Sequence, residues 1–165
     1  MTSASFQIES STPLSCFEVT AFRLSELPNL HEYLPLEPGA ARTDGQGRRH
    51  LHFSPGRWLT LCSSAAAAPP ELPASVAVVD ASGKWHRLRL TGADAERVLR
   101  FQLAVDHIFA GRACAATRAF DCPAVIERDS AGFCVWTHAS YSEHLRGALA
   151  DAHRNLQHTI PTETM

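Results

Sequence analysis

The side chains that offer metal chemistry are two histidines in a predicted strand. His50 and His52 are two residues apart, so both side chains point to the same face and could share a ligand. A protein metal site needs cysteines and histidines at short, definite spacings, and the sequence contains neither Cys-x-x-Cys nor His-Glu-x-x-His. We therefore interpret the pair as ordinary strand histidines and predict no metal site.

Covalent catalysis has two candidate positions, and both favour a structural interpretation. A nucleophile must be held beside an oriented base, and there is no Gly-x-Ser-x-Gly turn to supply one. Cys134 lies between Phe133 and Val135 in an apolar strand pattern, where a thiol is usually inert. Asp80 and Ser82 lie on a turn after a strand, where such side chains bond nearby backbone amides. We predict no catalytic residue.

A nucleotide or phosphate site has equally little support. The glycines of Gly45-Gln46-Gly47 lie in loop composition with no helix pattern after them, so both phosphate-binding fingerprints are missing. Arg48 and Arg49 could hold a phosphate, but adjacent arginines in a loop are usually solvated. We predict that this chain alone binds no cofactor.

The tryptophans suggest packing rather than ligand binding. Trp58, Trp85 and Trp136 could stack on a ring-shaped ligand, but each lies among apolar residues of a predicted strand. Buried aromatic and arginine side chains anchor many protein–protein interfaces. We therefore predict Trp58 and Trp85, with Arg87 and Arg89 of the predicted strand that begins at Trp85, as contacts with a partner chain.

Size and charge set limits on where the chain works. Its 165 residues suit one domain, and its net charge of −2 offers no attraction to nucleic acid or to anionic lipid. No secretory signal and no membrane-length apolar run is present. The five scattered cysteines are interpreted as reduced apolar fillers, as in a cytoplasmic protein.

Hydrophobic periodicity predicts a strand-rich domain with two helices. Proline and glycine break any regular pattern over residues 25–49, and residues 63–73 are predicted to be a loop. The predicted strands cover residues 14–24, 50–53, 57–62, 76–79, 85–90, 112–120, 122–128 and 132–137.

The two helices have recognisable starts. Thr91 is predicted to cap the first helix, and Ser140 with Glu143 forms a capping box for the second. This order of elements predicts an α+β domain whose mixed, largely antiparallel sheet is covered by helices on one face. We expect a flexible arm over residues 1–13, one domain over 14–156, and a flexible tail over 157–165.

Four short segments occur in an order seen in a known family. They are Gly56-Arg57-Trp58-Leu59-Thr60-Leu61, Leu90-Thr91-Gly92-Ala93-Asp94-Ala95, Gly111 to Cys114-Ala115 and Thr117, and Phe133-x-Val135 followed by Ser140-Tyr141. Over about residues 54–150 this series resembles the gamma subunit of heterotetrameric sarcosine oxidase. The second segment also resembles the wider aminomethyltransferase-like family of folate-binding domains.

The resemblance implies an accessory role in an oxidoreductase complex. That complex demethylates sarcosine to glycine and passes the one-carbon unit to tetrahydrofolate. FAD, FMN and NAD belong to its larger subunits, and the folate site belongs to the alpha subunit. The resemblance thus implies a non-catalytic chain whose partners are the alpha and other subunits. Aminomethyltransferases carry an essential carboxylate near the position of Pro123 and Ala124, and Asp121 is close to it.

A second hypothesis is a stand-alone folate-binding or one-carbon-handling protein. It predicts a concave pocket lined by Trp or Phe for stacking, with an Arg or Asp for the pterin or the glutamate tail. Both hypotheses stay open at the level of the sequence.

Overall fold

The computed structural model describes residues 5–13, 15–27, 29–64 and 69–159, and these residues form two five-stranded sheets with helices on one side. The strands are β1 (Gln7–Ser11), β2 (Ser15–Ala21), β3 (Ala41–Thr43), β4 (Arg49–Ser54), β5 (Arg57–Cys62), β6 (Val76–Asp80), β7 (Trp85–Thr91), β8 (Cys114–Ala119), β9 (Cys122–Asp129) and β10 (Gly132–His138). The helices are α1 (Ala95–Arg100), α2 (Val105–Ile108) and α3 (Ser142–Thr159), with 3-10 turns at Leu24–Glu26, Leu30–Glu32 and Ala139–Tyr141.

The predicted single sheet is in fact two sheets. Sheet I has the strand order β1-β7-β10-β9-β8, and sheet II has the order β3-β4-β5-β2-β6. Every strand pairing among the described residues is antiparallel. The α+β class is confirmed, whereas the single mixed sheet is wrong, because the strands of the first half of the chain pair mostly among themselves.

Sheet I is apolar on the face that meets the helices. Leu88 and Leu90 of β7 are fully buried in a cluster that includes Val98 of α1 and Leu145 of α3. The residues of β7 that alternate with these leucines, among them Arg87, point to the opposite face. In the sequence His86, Leu88 and Leu90 alternate with Arg87 and Arg89, and this period of two agrees with the two faces of the strand.

Sheet II packs on the opposite face of sheet I. Leu51 and Leu59 of sheet II meet Trp85, Val125 and Trp136 of sheet I in a second buried cluster. A third cluster lies on the outer face of sheet II, beneath the 3-10 turns of the first half. The layers therefore run from helices to sheet I, to sheet II, to irregular chain.

The chain ends and the helix starts differ from the predictions. Residues 7–11 form β1 along β7 and are not a loose arm, although residues 1–4 lie outside the described part. Helix α3 continues through Thr159, past the predicted start of a tail at 157, and residues 160–165 lie outside the described part. In the part of the chain that the structure describes, no helix is long and apolar enough to cross a membrane.

Neither predicted helix cap forms. Thr91 ends β7, and α1 begins after Asp94 with no side-chain cap. Helix α3 begins at Ser142, whose hydroxyl donates to the Ala139 carbonyl, while Glu143 pairs with Arg146 at 2.7 Å. Both predicted cap residues lie too early in the chain, because a 3-10 turn or a bend comes before each helix.

The turn between β4 and β5 requires glycine. Gly56 has φ +66°, and its carbonyl accepts the backbone N–H of Ala21 at 2.8 Å. A Cβ at this position would lie 2.3 Å from the Ala21 carbonyl oxygen. The close approach joins the β4–β5 hairpin to the end of β2 and leaves no space for a side chain.

We expect Gly56→Ala to lower the free energy of unfolding by more than about 2 kcal/mol, because the substitution adds a backbone clash to an unfavourable φ. Urea unfolding followed by circular dichroism measures the change. Gly147→Ala, in open space on α3, is the control and should raise stability by about 0.5–1 kcal/mol. Equal stabilities for the Gly56 variant and the wild type would contradict the turn geometry.

Candidate functional site

A cleft of about 430 Å³ lies between the two sheets. Its polar and aromatic walls are Arg49, Arg87, Arg89, Glu127, Asp129 and Trp136, and its apolar walls include Pro13, Leu61, Cys62 and Cys134. The cleft therefore combines charge with apolar surface, as small-molecule sites do.

Strand register brings the sheet I residues of this cleft together. Arg87 pairs with Ser11 on one side and with Trp136 on the other. In the next row Cys134 pairs with both Arg89 and Glu127. Paired residues on antiparallel strands share a face, so these side chains all face sheet II.

Two ion pairs hold most of the charge in the cleft. Arg49 of β4 binds Glu127 of β9 at 2.7 Å, and so joins the two sheets. Arg89 makes a two-pronged contact with Asp129 at 2.5 and 2.9 Å, and also donates to the Cys134 sulfur at 2.9 Å. The hydrogen bond to Asp129 raises the pKa of Arg89. Burial alone would raise the pKa of Asp129, but the hydrogen bonds that it accepts from Arg89 and from two backbone amides lower it.

Arg87 is left without a carboxylate. Its Nε donates to the Ser11 hydroxyl at 3.0 Å, and its guanidinium lies 5.9 Å from the centre of the Trp136 ring. It forms no ion pair with any other described residue. With three arginines and two carboxylates on its walls, the cleft has a net positive charge.

The predicted partner contacts divide into two groups. Trp58 is fully buried: its indole N–H donates to the Pro35 carbonyl at 2.7 Å. Trp85 is also buried and donates to Glu18 at 2.8 Å. The prediction of these two tryptophans as surface contacts is therefore corrected, because both side chains pack inside the chain. Arg87 and Arg89 are half-buried and lie together in the cleft.

The histidines of β4 lie on the other face of sheet II. His50 Nδ1 is 2.9 Å from the Thr60 hydroxyl, and His50 Nε2 is 3.1 Å from Asp44. A Thr–His–Asp series can activate a nucleophile, but Thr60 is fully buried, so its hydroxyl is not exposed to a substrate. His52 stacks on Trp58 at 4.5 Å. Among the described residues no three His, Cys, Asp or Glu side chains are grouped to hold a metal.

Sequence reasoning missed Thr60 and Glu127 as partners of these sites. Thr60 lies opposite His50 in the β4–β5 ladder, and the tight turn between two alternating strands was the signal for that pairing. Nothing in the sequence marks Glu127 as the partner of Arg49, because the two residues lie on different sheets.

The remaining candidates have structural partners. The Asp80 carboxylate accepts the Ser82 backbone N–H, and the Ser82 hydroxyl accepts the Cys16 N–H at 3.0 Å, as the turn interpretation predicted. Arg48 is not simply solvated, since it pairs with Asp44 at 2.6 Å. Asp121 is exposed in the β8–β9 turn at φ +64°.

All five cysteines are buried free thiols. Burial raises the pKa of Cys134, which lies in the cleft wall, and raises the pKa of both Cys16 and Cys114 to about 12. A thiol that stays protonated at neutral pH is a poor nucleophile, so the interpretation of these cysteines as apolar fillers agrees with their surroundings.

Known structures share this fold. No family model and no curated protein matches the sequence. A chain of the heterotetrameric sarcosine oxidase from Corynebacterium sp. U-96, solved in complex with pyrrole 2-carboxylate, superposes with a TM-score of 0.70 and 20% sequence identity. The match covers 91% of this chain and 84% of that chain, so the two are similar in length. The resemblance found in the sequence is confirmed as a likeness of fold.

The buried histidines predict a loss of stability in mild acid. Burial lowers the pKa of His50 below its ordinary 6.5, although the Asp44 carboxylate favours the charged form. Burial likewise lowers the pKa of His52. The unfolded chain then binds more protons below about pH 6.5, so we expect the unfolding free energy to fall as pH drops, by at most about 1.4 kcal/mol per pH unit for each histidine.

Urea unfolding at several pH values between about 7.5 and 5 measures this slope. The double variant His50→Gln/His52→Gln should show a flatter dependence on pH, while His107→Gln, at an exposed helix position, should keep the wild-type slope. A double variant as pH-sensitive as the wild type would contradict the burial argument.

Proposed function

We propose that this chain is a gamma-type accessory subunit of a sarcosine-oxidase-like complex. The observation that carries the proposal is the match in fold and in length with one chain of a heterotetrameric sarcosine oxidase. Two chains that share their fold over most of their length are suited to the same place in an assembly. This chain would then have alpha-type and other subunits as partners.

In this proposal the chemistry belongs to the partners. They would carry FAD, FMN and NAD, demethylate sarcosine oxidatively to glycine, and pass the one-carbon unit to tetrahydrofolate. The side chains of this chain support a non-catalytic role, because the Thr60 hydroxyl and the Cys134 thiol are buried. The Thr60 hydroxyl lies 2.9 Å from His50, and the Cys134 sulfur lies 2.9 Å from the Arg89 guanidinium.

Exposed apolar side chains favour one region as the partner surface. Phe22 and Val79 are 86% and 59% exposed, the largest values among the large apolar side chains described. Phe22 follows β2, and Val79 lies on β6, the edge strand of sheet II beside β2. An edge strand with exposed apolar side chains is a ready site for pairing with another chain.

Capture of the tagged chain from lysate of its own cells tests the proposal. We expect mass spectrometry to identify flavin- and NAD-binding subunits of the sarcosine oxidase type among the captured proteins. The variant Phe22→Ser/Val79→Lys should recover less of them, because it removes apolar contact area and adds a charge. Phe101→Ser, at a 47% exposed position after α1, is the matched control. Capture of the chain alone would contradict the subunit role.

A second candidate function is supported by the cleft. A stand-alone folate-binding protein needs a concave pocket with an aromatic side chain and an Arg or Asp, and the cleft has Trp136, Arg87 and Asp129 in its walls. Isothermal titration calorimetry with tetrahydrofolate tests this function. Saturable heat from the isolated chain, reduced by Trp136→Leu, would support it, and the absence of heat at millimolar ligand would remove it.

A further inference from the structure

We propose that the cleft between the sheets binds a small organic monocarboxylate, and that Arg87 is the residue that recognises it. This ligand site goes beyond the accessory role, which assigns no ligand to this chain. It rests on the pairing of charges in the cleft, on the free donors of Arg87, and on the apolar walls beside them.

Arg87 has hydrogen-bond donors that no described residue uses. A guanidinium offers five N–H donors in a fixed fork, and only the Nε donor of Arg87 is used, by Ser11 at 3.0 Å. That bond fixes the orientation of the group, and the Trp136 ring packs beside it at 5.9 Å. No other described residue accepts from its two terminal nitrogens. A carboxylate with two parallel oxygens is the geometric match for such a fork.

The neighbouring charges select an anion with a single charge. Arg49 and Arg89 are already paired with Glu127 and Asp129, so Arg87 carries the one uncompensated charge in the walls. A dianion would bring its second charge close to those two carboxylates. One carboxylate therefore matches the cleft better than a phosphate monoester does.

The remaining walls describe the rest of the ligand. Pro13, Leu61 and Trp136 give the cleft an apolar side, and its volume of about 430 Å³ is in the range of small-molecule sites. An apolar or aromatic body attached to the carboxylate fits this combination. The indole N–H of Trp136 can report binding in the cleft, because Trp136 lines it and this buried N–H has no hydrogen-bond partner in the described structure.

The test is an NMR titration of the isolated, ¹⁵N-labelled full-length chain with sodium benzoate, in which the indole N–H signals of the three tryptophans are followed. The Trp136 signal is assigned from its loss in Trp136→Phe. We expect a saturable shift of the Trp136 signal with benzoate, and none with benzamide, which has the same shape without the charge. No saturable shift at millimolar benzoate, or an equal response to benzamide, would overturn the proposal.

Variants then identify the recognising residue. Arg87→Gln should weaken benzoate binding at least about tenfold, because it removes a charged hydrogen-bond fork, and Arg87→Lys should retain part of the affinity. Arg57→Gln is the matched control, since Arg57 also lies over an aromatic ring, Phe53 at 5.3 Å, but outside the cleft. Unchanged affinity in both Arg87 variants would contradict the assignment. The isolated chain is used, so this outcome is independent of whether the chain captures partner subunits.

Discussion

The structure depends on packing sheet II against a face of sheet I that carries both apolar and charged side chains. One face of sheet I is apolar and meets the helices, whereas the other combines apolar side chains with the buried Glu127, the half-buried Arg87 and Arg89 and the exposed Asp129. A buried carboxylate such as Glu127 must be paired, because an unpaired buried charge is costly. The Arg49–Glu127 contact satisfies this need across the gap, since it comes from both sheets and so also ties them together. The cleft is the space that these long paired side chains leave between the layers.

This arrangement separates the surfaces that serve packing from those that we propose for binding. The helix side and the outer side of sheet II are closed by apolar clusters, which leave Trp58 and the β4 histidines as parts of the packing. The polar cleft is the ligand site that we propose, and the exposed side chains around β6 are the partner surface that we propose. A chain built in this way is suited to assembly, while groups such as Thr60 that resemble catalytic ones stay out of reach.

The sequence predicted the second half of the fold better than the first. In β7 apolar and polar residues alternate, while β9 and β10 are nearly continuous apolar runs that are buried on both faces, and the predicted strands agree with the structure. β1 was missed because its residues, Gln-Ile-Glu-Ser-Ser, are mostly exposed on an edge strand, and its pairing with β7 is set by contacts far along the chain. The cleft could not be predicted for the same reason. Arg87 and Arg89 show the pattern of a wet face, and only the packing of sheet II encloses them.

In the function proposed above, this chain contributes structure to an oxidase and leaves the redox chemistry to its partners. The most direct measurement is the visible absorption spectrum and the sarcosine-oxidising activity of the purified chain, alone and after assembly with flavin-carrying subunits of its own cell. We expect neither flavin absorbance nor turnover from the chain alone. The assembly that contains the chain should show both flavin absorbance and turnover. Flavin absorbance and turnover from the chain alone would contradict the claim.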